Sequence, residues 1–366
     1  MTVWIKEFRD VLTLGNIQKF FDGGVSLKKI SDWDKVNCEN DLVIYSKKDE
    51  NGFSSNCLCI KVEDFLQNLN AVINNDIQKN YDLYYLQNIL NYAKNNRIDY
   101  LFLGCSHMLH GISEDIFPCK INASLPSQDL FYSLKIVKEI IKNSQIKTII
   151  FGMSYAHFHW DLSLTGFPEL NRVANVYYPI FNDYHNAILI TETNEISLNS
   201  HMLNVNKMYE DVKEKIGIHY FNQIRSRESC RTHLWEDEDT KWSNLDKKLQ
   251  QEAAYERTRY HNNLLKYNAT YIENQKIFKE LVDLCNKQHI NLNIVILPAT
   301  RCYVQAFDEK FKIKMYEAFE NVGFRGEVLD LFTDSRFVDS DFVDTDHFSD
   351  EGAIKFSRIL SDYFNL

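Results

Sequence analysis

A chain of 366 residues is longer than one compact core usually requires, so it carries two domains or one domain with a large insertion. Hydrophobic residues make up 45% and charged residues 25%, the proportions of a folded globular protein and not of a disordered chain. With 41 Lys and Arg against 51 Asp and Glu the formal charge is -10, which repels a nucleic-acid backbone and argues against nucleic acid as a partner.

The first residues place charges at Lys6, Glu7, Arg9 and Asp10, where a secretory signal needs an uninterrupted apolar stretch. Nowhere does the sequence run apolar for the ~18 residues of a membrane-spanning helix. The expectation is a soluble, cytoplasmic protein with no transmembrane segment, and its eight scattered cysteines read as reduced small hydrophobes.

In chain order, Asp41 to Tyr45 and Asn56 to Lys61 read as strands, and Lys47 to Gly52 between them supplies turn residues, which predicts a hairpin. Leu83, Leu86, Leu90 and Ala93 fall at helical spacing and lead to the apolar run Tyr100 to Leu103, a buried strand. A strand over Cys119 to Ile121 follows, then a helix with Leu130, Leu134, Val137 and Ile141 on one face, then the strand Thr148 to Phe151. A helix with Ile277, Leu281, Leu284 and Cys285 precedes the strand Leu292 to Leu297, and a last strand, Glu327 to Leu331, precedes a helix from Asp350 to Phe364.

Short apolar strands alternating with amphipathic helices predict an α/β domain with a doubly wound, five-stranded parallel sheet over residues 96–366. The roughly 110 residues before the helix that precedes the fourth strand are too many for one crossover and predict an inserted lid over about 160–250. The charged stretch Trp235 to Trp242 is expected on the lid surface. Residues 1–95 form a separate N-terminal α+β region.

In an open parallel sheet the residues that follow each strand carry the chemistry. The first strand ends in Gly104-Cys105-Ser106-His107, where glycine permits a tight turn and Ser106 can sit exposed as a nucleophile or act simply as a helix cap. After the last strand comes Asp344-Thr345-Asp346-His347, which places an imidazole on the same edge of the sheet. A serine hydroxyl needs a base, and the base needs an acceptor that fixes its tautomer; Asp344 three residues before His347 can supply one, although the segment also reads as an acidic loop whose Ser349 or Asp350 caps the last helix.

Together the two segments resemble the SGNH/GDSL hydrolase family, over roughly residues 98–160 and 255–364. The run from Leu101 to Ile112, with Asn122-Ala123-Ser124 downstream, is similar to the branch whose enzymes acylate or deacylate cell-surface polysaccharides. The resemblance implies a flavodoxin-like sheet, with Ser106 as nucleophile, His347 as general base and Asp344 as its orienting acid. The family's first block usually has an acid where this chain has Cys105. The glycine of its second block has no clear equivalent near Asn122, and the asparagine of its third block is replaced by Gly152-Met153-Ser154-Tyr155. Losing one oxyanion donor commonly costs ~100-fold in rate, so substitutes are needed. Gly104, Cys105, Asn122, Ser154 and Tyr155 are the candidates there, with His157, Arg257 and His261 as substrate contacts.

The sequence therefore points to serine-dependent ester hydrolysis or O-acyl transfer on a carbohydrate or glycan precursor, in surface polysaccharide biosynthesis or modification. No metal or organic cofactor is required, although a transferase needs an acyl donor such as acyl-CoA. The rival reading is a non-catalytic carbohydrate-binding or assembly protein that keeps the fold; phosphoryl transfer on the rim histidines and arginines is a third.

Overall fold

The structure, a computed structural model, describes residues 2–6, 26–29, 36, 42–45, 58–113, 115–117, 121–165, 169–187 and 241–366. The described residues fall into two compact units, one within 2–85 and the other comprising 86–187 and 241–366.

The first unit holds a four-stranded sheet of β1 (Thr2–Lys6), β2 (Ser26–Lys29), β3 (Leu42–Tyr45) and β4 (Leu58–Lys61) in the order β2-β1-β3-β4. All pairs are parallel, and Leu42 sits opposite Leu58. The expected hairpin between β3 and β4 is therefore corrected. A parallel pair requires a connection of about a dozen residues or more, and residues 46–57, with the turn expected at Lys47 to Gly52, lie outside the described residues. Val43 and Ile44 are fully buried. Helix α1 (Val62–Asn95) follows and leaves helical φ/ψ at Asn80.

The second unit is the doubly wound α/β domain. Its strands are β5 (Ile98–Leu103), β6 (Ile121–Asn122), β7 (Ile146–Met153), β8 (Asn291–Ile296) and β9 (Val328–Asp330). They pair in parallel in the order β6-β5-β7-β8-β9, the flavodoxin-like arrangement in which the chain starts near the middle and winds both ways. Residues 119 and 120 of the expected second strand lie outside the described residues. The strands are near-continuous runs of β-branched and aromatic residues because both faces are covered: Leu101, Ile149, Ile150, Phe151, Ile294 and Val295 are all fully buried.

The covering helices are α2 (Ser106–Gly111), α3 (Leu130–Ile141), α4 (Lys247–Asn262), α5 (Asn268–Lys287), α6 (Arg301–Ala306), α7 (Lys310–Val322) and α8 (Asp350–Phe364). Helix α5 packs against α3 and α7, while α2 packs against α8 and α4 against α6. The periodic residues behave as their spacing predicts: Leu130, Val137, Leu281 and Cys285 are buried on the inward faces of α3 and α5.

Most of the expected lid, residues 188–240, lies outside the described residues. Of the stretch Trp235 to Trp242 expected on its surface only residues 241 and 242 are described, and Trp242 is not on the surface. Trp242 is 1% exposed and packs in the cluster of Phe342, Phe348 and Phe356, because an indole surrounded by apolar side chains gains more from burial than its charged sequence neighbours suggest. Among the described residues no helix is long and apolar enough to cross a membrane.

Leu101 lies in β5, an interior strand paired on both sides, with no exposed surface. Leu101→Ala is expected to lower unfolding stability by about 2–5 kcal/mol, read as a lower urea midpoint at unchanged denaturant slope.

Candidate active site

Because every strand of the second unit runs the same way, the segments after β5, β7, β8 and β9 meet at one edge. They line a cavity of about 1070 Å³ with Cys105, Ser106 and His107 after β5, Ser154 and His157 after β7, Leu297 to Ala299 after β8, and Phe332 and Asp346 beyond β9. Helix α4 supplies the remaining wall, including Arg257 and His261.

The turn after β5 is made by Gly104 at φ +153°, a conformation that favours glycine. A Cβ here would stand 2.7 Å from the Gly152 carbonyl oxygen and 2.9 Å from Cβ of Met108, a fully buried side chain. The strand can therefore run straight into α2, whose first residue is Ser106.

Ser106 Oγ lies 2.8 Å from His347 Nε2, and His347 Nδ1 lies 2.8 Å from Asp344 Oδ2. The other Asp344 oxygen accepts the backbone N–H groups of His347 at 2.7 Å and Asp346 at 3.0 Å, so the carboxylate shapes the turn that presents the ring. Burial pushes the Asp344 carboxyl up, but its hydrogen bond to His347 and the charge there outweigh this and leave it below the usual range. The three residues form one hydrogen-bonded chain from loop to nucleophile position.

The loop is held from several sides. Phe342 bridges Phe348 in antiparallel fashion, and Thr300 donates through both N–H and Oγ1 to the Thr345 carbonyl at 3.0 and 2.9 Å. Ser349 caps α8, and a Cβ on Gly352 would come within 2.0 Å of the Asp341 carbonyl oxygen, so only glycine admits this approach.

A second polar chain runs beside the first. His107 Nε2 lies 3.0 Å from Asp346 Oδ2 and its Nδ1 lies 3.1 Å from Cys105 Sγ. Asp346 also takes Arg257 through Nε at 3.2 Å and Nη2 at 3.2 Å, and accepts the Thr345 hydroxyl at 2.8 Å. The rings of His107 and His347 stack 4.3 Å apart at an interplanar angle of 4°. Burial opposes the charged form of Asp346, but Arg257 and His107 overcome it and hold the carboxyl well below its ordinary range. Burial likewise opposes the His107 imidazolium, but Cys105 and Asp346 raise its pKa to about 10. Burial raises the Cys105 thiol, and the charge and hydrogen bonds of His107 bring it below its ordinary value. Asp346 carries no role in the sequence reading; its place beside His347 and opposite a histidine after Ser106 is the only signal in the sequence.

The other sequence-derived candidates divide. Ser154, His157, Arg257 and His261 line the cavity together with Cys105. His157 is 3% exposed, its Nε2 has no hydrogen-bond partner among the described residues, and burial followed by the His107 charge lowers its pKa to about 3, so it is a neutral imidazole. His261 bonds the Tyr303 hydroxyl and is also held neutral, by burial first and by Arg257 next.

Two expectations are corrected. The Tyr155 hydroxyl donates to Asp330 instead of facing the nucleophile. The Asn122 amide donates to the carbonyls of Met108 at 3.2 Å and Leu109 at 3.3 Å and accepts Ser124 N–H, so it braces α2 and does not line the cavity. Arg257 is in addition the counter-ion of Asp346, because a buried carboxylate demands one, while its half-buried side chain still lines the cavity.

Comparison with known proteins adds little beyond this geometry. No family model matches the sequence, and no curated protein matches it. Among solved structures, a provisionally named platelet activating factor from Streptococcus pneumonia is similar at 10% identity and a TM-score of 0.36, covering 79% of this chain and 96% of its own.

Gly104→Ala is expected to cost about 1–3 kcal/mol through its backbone conformation and the Gly152 contact, measured by urea unfolding. Asp346→Asn is expected to cost about 3 kcal/mol, since it strands the buried His107 and the half-buried Arg257. Asp346 is more acidic folded than unfolded, so its contribution is full above the ordinary carboxylate pKa of about 4 and is lost as pH falls below it. His107 is more basic folded, so its contribution is full below about 6.5 and is lost as pH rises toward its folded value. The difference between wild type and Asp346→Asn should therefore be largest near pH 5 to 6 (about the midpoint of that window) and shrink in acid and in alkali, read from urea unfolding across pH.

Proposed function

We propose that this protein is a serine-dependent acyl-transfer enzyme of the SGNH type that hydrolyses an ester, or moves an O-acyl group, on a carbohydrate. The observation that carries the reading is the unbroken chain from Asp344 through His347 to Ser106, with 2.8 Å at each step, at the wall of a cavity at the carboxyl edge of the sheet. A lone helix-capping serine needs no histidine, and a histidine in a surface loop needs no carboxylate at its far nitrogen.

In this reading Ser106 Oγ attacks the ester carbonyl carbon while its proton passes to His347 Nε2, and Asp344 holds Nδ1–H and balances the imidazolium. The carbonyl oxygen, now negative, is met by backbone N–H groups at the start of α2, which have no acceptor within the helix. Collapse of the tetrahedral species expels the alcohol, which takes the proton from His347, and water or a sugar hydroxyl then releases the acyl group by the same steps in reverse. The cavity wall combines the rings of Trp160, Tyr255 and Tyr260 with polar groups, a lining suited to a sugar ring, and its volume exceeds what a small ester fills. Surface polysaccharide or its precursor is the proposed acceptor or substrate, and acyl-CoA the proposed donor class for transfer.

One observation favours the rival reading, a glycan-binding protein without catalysis: Asn122 and Tyr155, both candidate oxyanion donors, spend their polar groups elsewhere. Intact-mass analysis after exposure to a fluorophosphonate separates the two. A single adduct on the natural protein, absent from folded Ser106→Ala and His347→Ala, is the expected result, and the same variants should lose ester turnover by on the order of a thousandfold or more. A folded natural protein that takes up no adduct while a known serine esterase does in parallel would overturn the proposal.

A further inference from the structure

Behind the cavity wall, three segments of the second unit converge on a buried polar cluster. Asp129 caps α3, with Oδ1 accepting Tyr132 N–H and Oδ2 accepting Leu162 N–H, both at 2.9 Å. In the loop beyond β7, Asp161 Oδ1 accepts the N–H groups of Ser163 at 2.7 Å and Leu164 at 2.8 Å. The two carboxylates are 1% and 2% exposed. A third segment brings His185, in the left-handed conformation at φ +47°, with its ring stacked on Phe131 at 3.7 Å. A carboxylate oxygen from each aspartate and a ring nitrogen of His185 all lie within 4.8 Å of one another.

The histidine points to what joins them. Its side chain is 10% exposed, and Nδ1, which stands 3.5 Å from Asp161 Oδ2, is buried with no hydrogen-bond partner among the described residues. Its other nitrogen, Nε2, lies 3.4 Å from Glu273 Oε1. Asn186 Nδ2 ties the two acids together by donating to Asp161 Oδ2 at 2.8 Å and Glu273 Oε2 at 2.9 Å. With the Nε2 proton directed at Glu273, the Nδ1 lone pair faces a carboxylate oxygen inside a desolvated pocket. Two buried carboxylates and a lone pair repel unless a proton or a metal cation lies between them, and three ligand-type atoms converging here suit the metal.

We infer that Asp129, Asp161 and His185 form a binding site for a divalent first-row transition ion, with zinc as the best fit. One imidazole nitrogen and two carboxylate oxygens suit zinc or manganese, whereas calcium and magnesium favour all-oxygen sets. Tetrahedral zinc with bonds of ~2.1 Å separates its ligand atoms by about 3.4 Å, close to the spacing of Nδ1 and Asp161 Oδ2. Glu273 holds the non-coordinating nitrogen of His185, the usual way a ligating histidine is oriented. None of the three ligands lines the Ser106 cavity, so the ion is structural: it clamps the start of α3 and the turn at His185 to the loop that carries His157 and Trp160 to the cavity wall.

Equilibrium dialysis of the full chain, stripped with a chelator and then exposed to zinc, tests the site. Wild type and His347→Ala should each retain one zinc per chain, and the metal should raise the Tm of both. Folded His185→Gln should lose the zinc and the Tm shift. Glu273→Gln, altered at a partly exposed position, should bind roughly 10- to 100-fold more weakly and keeps the test open should His185→Gln not fold. Zinc absent from the folded wild type overturns the inference. So does zinc held equally by His185→Gln, or unchanged affinity in Glu273→Gln. Zinc lost from His347→Ala but kept by His185→Gln overturns it too, and moves the metal to the cluster of His107, Asp346 and His347.

Discussion

Parallel pairing obliges all five strands of the second unit to finish at the same edge, and nearly everything else about the site follows from that. A parallel strand cannot return through a short turn, so each chain segment leaves the edge into a loop and crosses back as a helix. The loops after β5, β7, β8 and β9 thus crowd together without any of them needing to be near another in sequence. Close approach is allowed at two glycines, Gly104 and Gly152, where the Met108 side chain fills the space that their missing Cβ atoms leave. The serine stands partly exposed at the head of α2, just past the buried end of β5.

The second constraint is electrostatic. Asp346 is nearly inaccessible to water, and a carboxylate in that position must be matched by charge and hydrogen bonds. Arg257, His107 and Thr345 provide the match from α4, from the segment after β5 and from the loop itself. The result is a cross-brace between elements that the backbone does not pair, running alongside the chain from Asp344 to Ser106. The stacked rings of His107 and His347 join the two chains face to face, so the orientation of one imidazole depends on the partners of the other.

Much of this was legible in the sequence, for identifiable reasons. The five strands stood out because burial on both faces leaves an apolar run that turn residues bracket. The pairing of Asp344 with His347 was visible because both lie in one short loop, where spacing stands in for distance. Tyr155 and Asn122 were misassigned because a residue type shows what a group can bond and not where its competitor lies. Asp330 and the carbonyls of α2 claim them first. The parallel order of β3 and β4 was hidden because two short strands with a polar link look alike whichever way they pair. Trp242 was hidden by charged neighbours in sequence that are not its neighbours in space. Asp129, Asp161 and His185 offered no motif at all, since three separate segments bring them together.

The serine and its histidine are 241 residues apart, and the histidine belongs to the part of the chain made later. At a synthesis rate of about 5–20 residues per second, that interval is on the order of tens of seconds. Throughout it the hydroxyl of Ser106 lacks the His347 imidazole that it bonds in the finished fold. Only when β9 has joined the sheet edge and α8 has docked over α2 does the loop between them reach the turn after β5. The hydrogen bond thus records completion of the fold: a chain arrested or clipped before Asp344 would keep its serine and lack the imidazole it bonds.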